Sequence, residues 1–357
     1  MRGLLIAGVL LCFGVIALGA FVRLTNAGIS CPDWPECYGE LTPAGAAASE
    51  RAQSEFPGRP LHEGRAWHEM IHRYVAGTLG IVILLITALA LSAPAGQRLV
   101  GRGVALALLA TVLVQAALGM LTVTWLLKPL IVTLHLLFGM TTLALLWWLW
   151  LGLAARPRGA LGPRLSPMLA GGAEPGGVSA NAAAARMALG LAILGLCVLA
   201  VQFFLGAWTS ANYAAYACPD FPRCQGAWWP HADFRDAFVL WRPLRDVDYQ
   251  GGILPNAARV AIHLTHRLGA LAVTLTLGLA CLYVLMRRSL AEARSRAWLV
   301  LGALGLQLAI GISMVLATFP LWLTTAHTAG AALLLMALLA LVSKLRTLRA
   351  VRAVGVA

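Results

Sequence analysis

Residues 29–40 read ISCPDWPECYGE, and residues 216–227 read YACPDFPRCQGA. A chain that carries one Cys-Pro-Asp-aromatic-Pro-x-Cys phrase twice is built from an internal repeat, and the repeat decides how the rest divides. Leu18-Gly19-Ala20 precedes the first phrase as Leu205-Gly206-Ala207 precedes the second, each cysteine pair following at the same distance. Further on, His72-Arg73 matches His266-Arg267, Gln115-x-x-x-Gly119 matches Gln307-x-x-x-Gly311, and His135 matches His327. The intervals agree: 63 residues from His72 to His135 and 61 from His266 to His327.

The repeat sits in an apolar chain. Of its 357 residues 60% are hydrophobic and 11% charged, where a soluble domain carries about 25% charged residues. Eight apolar runs reach the roughly 20 residues that cross a bilayer as helix. They lie near 3–22, 68–92, 103–124, 131–153, 187–208, 260–286, 297–318 and 322–343. The expected fold is an all-α polytopic membrane protein, its eight transmembrane helices forming two tandem four-helix bundles. Four is an even number, so both bundles have the same orientation. The halves are 1–154 and 187–357, the second ending in a basic tail, and a Gly/Pro/Ala-rich linker (155–186) joins them. Residues 1–20 have the outline of a signal peptide. Because 205–207 repeats 18–20 inside the chain, the first run is read instead as a retained helix.

The net charge of +13 has a topological origin. With these spans, one side holds 15 of the 27 Lys/Arg and 2 of the 14 acids. That is the positive-inside signature of a cytoplasmic face, and it requires no nucleic acid. Both termini are then cytoplasmic, the large loops 23–67 and 209–259 are external, and a bacterial plasma membrane is the expected location. On the oxidising side, Cys31–Cys37 and Cys218–Cys224 are read as disulfide braces stiffened by their prolines. The alternative is a redox-active pair, Cys31/Cys37 above all. Trp34 or Phe221 would fold down over the ring as a lid.

His72, His135, His266 and His327 all fall near the external ends of even-numbered spans, at similar depth. Ionisable groups inside a membrane are costly and usually functional. Two imidazoles on facing helices of an apolar bundle suit a flat macrocycle whose metal is ligated from both sides. The expected sites are two hemes, His72/His135 and His266/His327. Gly77, Gly139, Gly269 and Gly330 would leave room for the porphyrin edges. Arg73 and Arg267, with Arg23, are candidates for propionate pairing or for interfacial anchors. The halves differ at one position: Glu69 precedes His72 by three residues, on the same helical face, where the second half has His263. Only the first site then has an acid beside its porphyrin, able to act as a base or to stabilise positive charge. His62, His68 and His231 are read as surface residues, and Cys12, Cys197 and Cys281 as packing residues.

Glu69-x-x-His72-Arg73, His135, His266-Arg267 and His327, on even-numbered spans of a duplicated eight-helix chain, resemble the heme A synthase family. The paired external cysteines resemble its bacterial branch with cysteines in both loops. The resemblance implies an oxidoreductase that converts the C8 methyl of heme O to a formyl group by successive hydroxylations, with water as oxygen source. It implies substrate heme at His72/His135, Glu69 as catalytic residue, and a permanent heme B at His266/His327. The implied partners are a protoheme farnesyltransferase that supplies heme O, membrane lipid, an electron acceptor of unassigned identity, and further copies of the chain. The competing reading is a di-heme b-type electron-transfer cytochrome without bond-making chemistry.

Overall fold

The computed structural model describes residues 1–94, 99–154, 175–242 and 248–354. Its α-helices are α1 (Arg2–Leu24), the short α2 (Pro43–Ala48) and α3 (Glu50–Glu55), α4 (Glu63–Ser92), α5 (Arg102–Thr124) and α6 (Pro129–Ala154). They continue as α7 (Pro175–Ala211), the short α8 (Phe234–Ala237), α9 (Asn256–Met286), α10 (Arg294–Leu316) and α11 (Leu321–Val354). Among the described residues eight helices are long and apolar enough to cross a membrane. They coincide with the eight runs found in the sequence, so the chain is a multi-pass, all-α membrane protein. Their outward faces are greasy: Leu84, Leu85, Leu113, Leu275 and Leu279 are about half exposed or more, as lipid-facing helices require.

α1, α4, α5 and α6 pack around one another in a ring, and α7, α9, α10 and α11 do the same. The two groups meet where α1 and α6 touch α11 and α6 touches α7. Trp147 donates its indole N–H to Met336 O at 2.8 Å across that seam. At the loop end, the Tyr249 N–H donates to Leu126 O (3.1 Å). There also the fully buried Lys128 ammonium lies 3.4 Å from the Trp241 ring centroid.

The repeat extends to the backbone. α1 and α7 each exit through one residue in the left-handed region, Asn26 (φ 52°) and Tyr213 (φ 53°). The α5–α6 and α10–α11 turns each use two, Leu126 and Leu127 against Thr318 and Phe319. Non-glycine residues rarely adopt this conformation, so its recurrence at matching places marks a turn design used twice. Pro129 starts α6 at a first-turn position where its missing N–H costs nothing.

Several boundaries differ from the sequence reading, and α11 runs on to Val354 rather than ending near 343. α4 and α9 begin at Glu63 and Asn256 rather than near 68 and 260. The extra turns support the loops: Ala66, next to Met70, packs with Cys31, Cys37 and Tyr38, and Ala258, next to Ala261 and Ile262, packs with Trp208 and Ala237. The proposed linker 155–186 lies outside the described residues as far as 174, and from Pro175 onward the chain is α7 rather than an irregular connector. Residues 355–357 of the basic tail, and Arg98, Arg156, Arg158 and Arg164 of the basic runs, also lie outside them.

Candidate functional site

Each of the four histidines faces a glycine on the long helix before its own. A Cβ added at Gly19 would lie 3.0 Å from His72 Cε1, and one at Gly119 3.2 Å from His135 Cε1. At Gly206 and Gly311 the distances to the His266 and His327 rings would be 3.2 and 2.9 Å. Any side chain at these positions would push the imidazole aside. Those glycines belong to the LGA and QxxxG repeats of the sequence, which thereby acquire a physical role. Gly139, Gly269 and Gly330, read as room for a porphyrin edge, instead seat the amides of Gln115, Gln202 and Gln307, and a Cβ at Gly77 would meet nothing.

The rings of His266 and His327 lie 6.5 Å apart between centroids. The rings are nearly perpendicular, at 77°, and a single metal atom bonded to one nitrogen of each at about 2.0–2.1 Å would span that separation. The Gln202 amide nitrogen lies 3.1 Å from His266 Nδ1 and donates to His266 O at 3.0 Å. Gln307 also reaches His327, its amide nitrogen 3.3 Å from both Nδ1 and Nε2 and donating at 3.1 Å to the carbonyl. In the first half, Val15 occupies the position of Gln202, four residues before the glycine. The buried Nδ1 atom of His72 has no hydrogen-bond partner there. Buried polar atoms are normally paired, so this imidazole marks a place for a ligand. Glycine cradles and an all-imidazole donor set fit an iron porphyrin, which the pairs His72/His135 and His266/His327 would hold.

Above the histidines sit the two loops, and both disulfides are formed, Cys31–Cys37 and Cys218–Cys224. The Asp of each phrase closes the ring. Asp33 accepts from the Tyr38 and Gly39 N–H groups, both at 2.7 Å. Asp220 accepts from Gln225 (2.6 Å) and Gly226 (2.9 Å). The following residues, Tyr38-Gly39 and Gln225-Gly226, take positive φ, and a glycine there avoids most of the strain. The Gly226 and Gln225 N–H groups hold the Asp220 carboxyl below the usual carboxylate range. A lowered folded-state pKa gives stability that is present above the ordinary carboxylate pKa and is lost as pH falls through the folded value. Asp220→Asn should therefore flatten the acid limb of a thermal-unfolding profile below about pH 4.

Arg73 and Arg267, candidates for propionates or headgroups, direct donors to these loops. Arg73 donates to Pro35 O (3.2 Å) and Glu36 O (2.6 Å) and pairs with Glu69 Oε1 at 2.5 Å. Arg267 donates to the carbonyls of Cys218 (3.1 Å), Asp220 (2.8 Å) and Arg223 (2.8 Å). Its Nε–H also reaches His263 Nε2 at 3.2 Å. Arg23 likewise stays within the protein, donating to Ser210 O at 2.9 Å and stacking on Tyr213. Glu69 is buried, and its second oxygen accepts the Cys31 N–H at 3.0 Å. The acid is thus joined to the first disulfide loop, and His263 stands in the equivalent buried place. A guanidinium fork reaching three carbonyls cannot be replaced by an ammonium. Arg267→Lys should expose Cys218–Cys224 to dithiothreitol several-fold faster than in the parent, followed by alkylation and mass spectrometry.

Other sequence expectations change. Trp34 and Phe221 remain 41% exposed; arginines fill the underside of each loop, and neither ring folds down as a lid. His68 is not a surface residue: it packs edge-on against Phe21 with centroids 4.9 Å apart. Cys12 and Cys281 are buried as expected, but Cys197 is exposed.

The family described as cytochrome oxidase assembly protein (COX15-CtaA) matches the chain over residues 2–339. The chain is 38% identical to the heme A synthase of Shewanella oneidensis, over 90% of this chain and 89% of that protein. It is 27% identical to that of Novosphingobium aromaticivorans (90% and 88%) and 26% identical to that of Methylobacterium nodulans (91% and 86%).

Proposed function

The chain belongs to the heme A synthase family of cytochrome oxidase assembly proteins, and from that premise we propose how its two histidine pairs divide the work. The enzyme acts on heme O. In the proposed division, His72 and His135 hold this substrate and present its C8 methyl, while His266 and His327 hold a resident heme B. When bound, that second heme carries electrons away one at a time. Conversion of the methyl to a formyl group, with water as the oxygen source, releases four protons and four electrons. Two hydroxylations followed by loss of water satisfy this balance.

One observation carries the division: two nearly equal sites differ in the groups around their histidines. His266 is tethered by Gln202, whereas Val15 leaves His72 without a partner on Nδ1. Groups that hold the far nitrogen of a ligating histidine fix its tautomer and orientation, and their loss costs about 10–100-fold in affinity. Tight tethering suits a group that stays, and loose tethering suits one that must leave. Glu69 adds the second difference, a carboxylate one turn from His72 that can receive a proton from the reacting methyl. A cytochrome that only passes electrons has no use for this asymmetry.

The loops and both heme sites would face outward and the termini the cytoplasm. Heme O would arrive from a membrane-bound farnesyltransferase, and the electrons would pass to an external acceptor. Gln202→Leu tests the assignment. It should raise the loss of heme B during purification by roughly 10–100-fold and leave extracted heme O and heme A unchanged. Loss of the farnesylated hemes instead would reverse the two sites.

A further inference from the structure

At the end opposite the disulfide loops, the seam between the two helix groups opens into a cleft of about 450 Å³. Its walls include Trp148 of α6, Leu189 and Leu196 of α7 and Leu339 of α11, with Arg346 and Arg349 at the mouth. The two arginines lie one helical turn apart and are exposed. The Arg346 guanidinium is carried over the apolar wall, 5.3 Å from the Trp148 ring centroid. Among the described residues neither arginine has an anionic partner, although the nearby Lys344 does, pairing with Glu292 at 2.6 Å.

We propose that this cleft binds one anionic phospholipid, an acyl chain along the walls and the phosphodiester on Arg346 and Arg349. The dimensions agree. Leu339 to Arg349 spans about 15 Å of helix, half of a hydrocarbon core of about 30 Å. When the walls lie in one leaflet, the mouth therefore reaches the headgroups. Charge selects the sign. Among the residues whose side chains are described, this end carries ten Lys/Arg and one acid, Glu292, so an anionic headgroup is attracted and a zwitterionic one is not. The apolar walls give a free phosphate nothing to hold. The position gives the lipid a consequence: it would bridge α6 of the first group to α7 and α11 of the second. No residue of the cleft belongs to either histidine pair, so the inference does not depend on the heme assignments.

The test is native mass spectrometry of the full chain, purified in mild detergent and offered equal phosphatidylglycerol and phosphatidylcholine. The parent should retain a single phosphatidylglycerol. Arg346→Gln with Arg349→Gln should lower that retention by roughly 10–30-fold. Arg287→Gln with Arg288→Gln, the same charge loss on exposed residues away from the cleft, should leave it unchanged. Leu196→Trp, which narrows the cleft without altering charge, should also expel the lipid. The proposal is overturned by equal retention in the first double variant, or by equal binding of both lipids. Displacement of phosphatidylglycerol by millimolar inorganic phosphate would also overturn it, because that would mark a site for the free ion.

Discussion

Glu69→Gln is expected to lower heme A formation by roughly 10²–10⁴-fold, the usual contribution of a positioned acid or base, with both hemes still bound. Glutamine is the informative replacement because Glu69 has two duties. One oxygen accepts the Cys31 N–H and the other pairs with Arg73, so the side chain ties the first disulfide loop to α4. A glutamine carbonyl can still accept from Cys31, which keeps the loop tied to α4 while removing the proton acceptor and the charge that pairs with Arg73. Glu69→Ala removes both and leaves Arg73 facing a buried vacancy, a defect of about 3–5 kcal/mol when one partner of a buried pair is deleted. Loss of protein in the alanine variant with loss of turnover in the glutamine variant would separate the duties. A glutamine variant that still made heme A at the parental rate, measured by pigment extraction from cells, would remove Glu69 from the chemistry.

The second large effect concerns the histidines. His266→Ala should abolish resident heme B and with it turnover, because no route remains for the four electrons. His72→Ala should also abolish turnover yet leave the reduced-minus-oxidised spectrum of the second site intact. The asymmetry matters more than the two losses. Identical spectra from the two variants would mean that the pairs do not act as substrate and resident sites. Gly311→Leu offers a ligand-preserving version of the same test. A Cβ there already lies 2.9 Å from the His327 ring, so a leucine must rotate the imidazole away and should empty the second site alone.

Much of this was legible in the sequence because the signals were local or repeated. Long apolar runs bounded by charge set all eight spans, and the doubled Cys and His-Arg phrases paired the halves. Contacts between helices were harder to read. Nothing in the linear pattern says that Gly19 lies against His72 or Gly311 against His327, because each contact joins residues whose helices meet only after packing. The same limitation placed porphyrin edges beside Gly139, Gly269 and Gly330, where glutamine amides lie. Arg73 and Arg267 are hard to place from sequence for a related reason: a basic residue at a helix mouth has many acceptors in reach. Only the folded loops show their own carbonyls as the nearest. A usable signal was nevertheless present, since both arginines recur with the Cys phrases, as expected if one holds the other. The Glu69/His263 difference needed only the repeat, whereas the Val15/Gln202 difference became informative once Gln202 was seen on His266.

The most direct measurement is an absorption spectrum and pigment extraction of the purified full chain, expressed with ample heme O supply. The account predicts a bis-imidazole spectrum with heme B and a farnesylated heme, O or A, extracted from the same molecules, and loss of the heme B component alone in His266→Ala. Colourless protein, or heme B alone with His72→Ala indistinguishable from the parent, would contradict it.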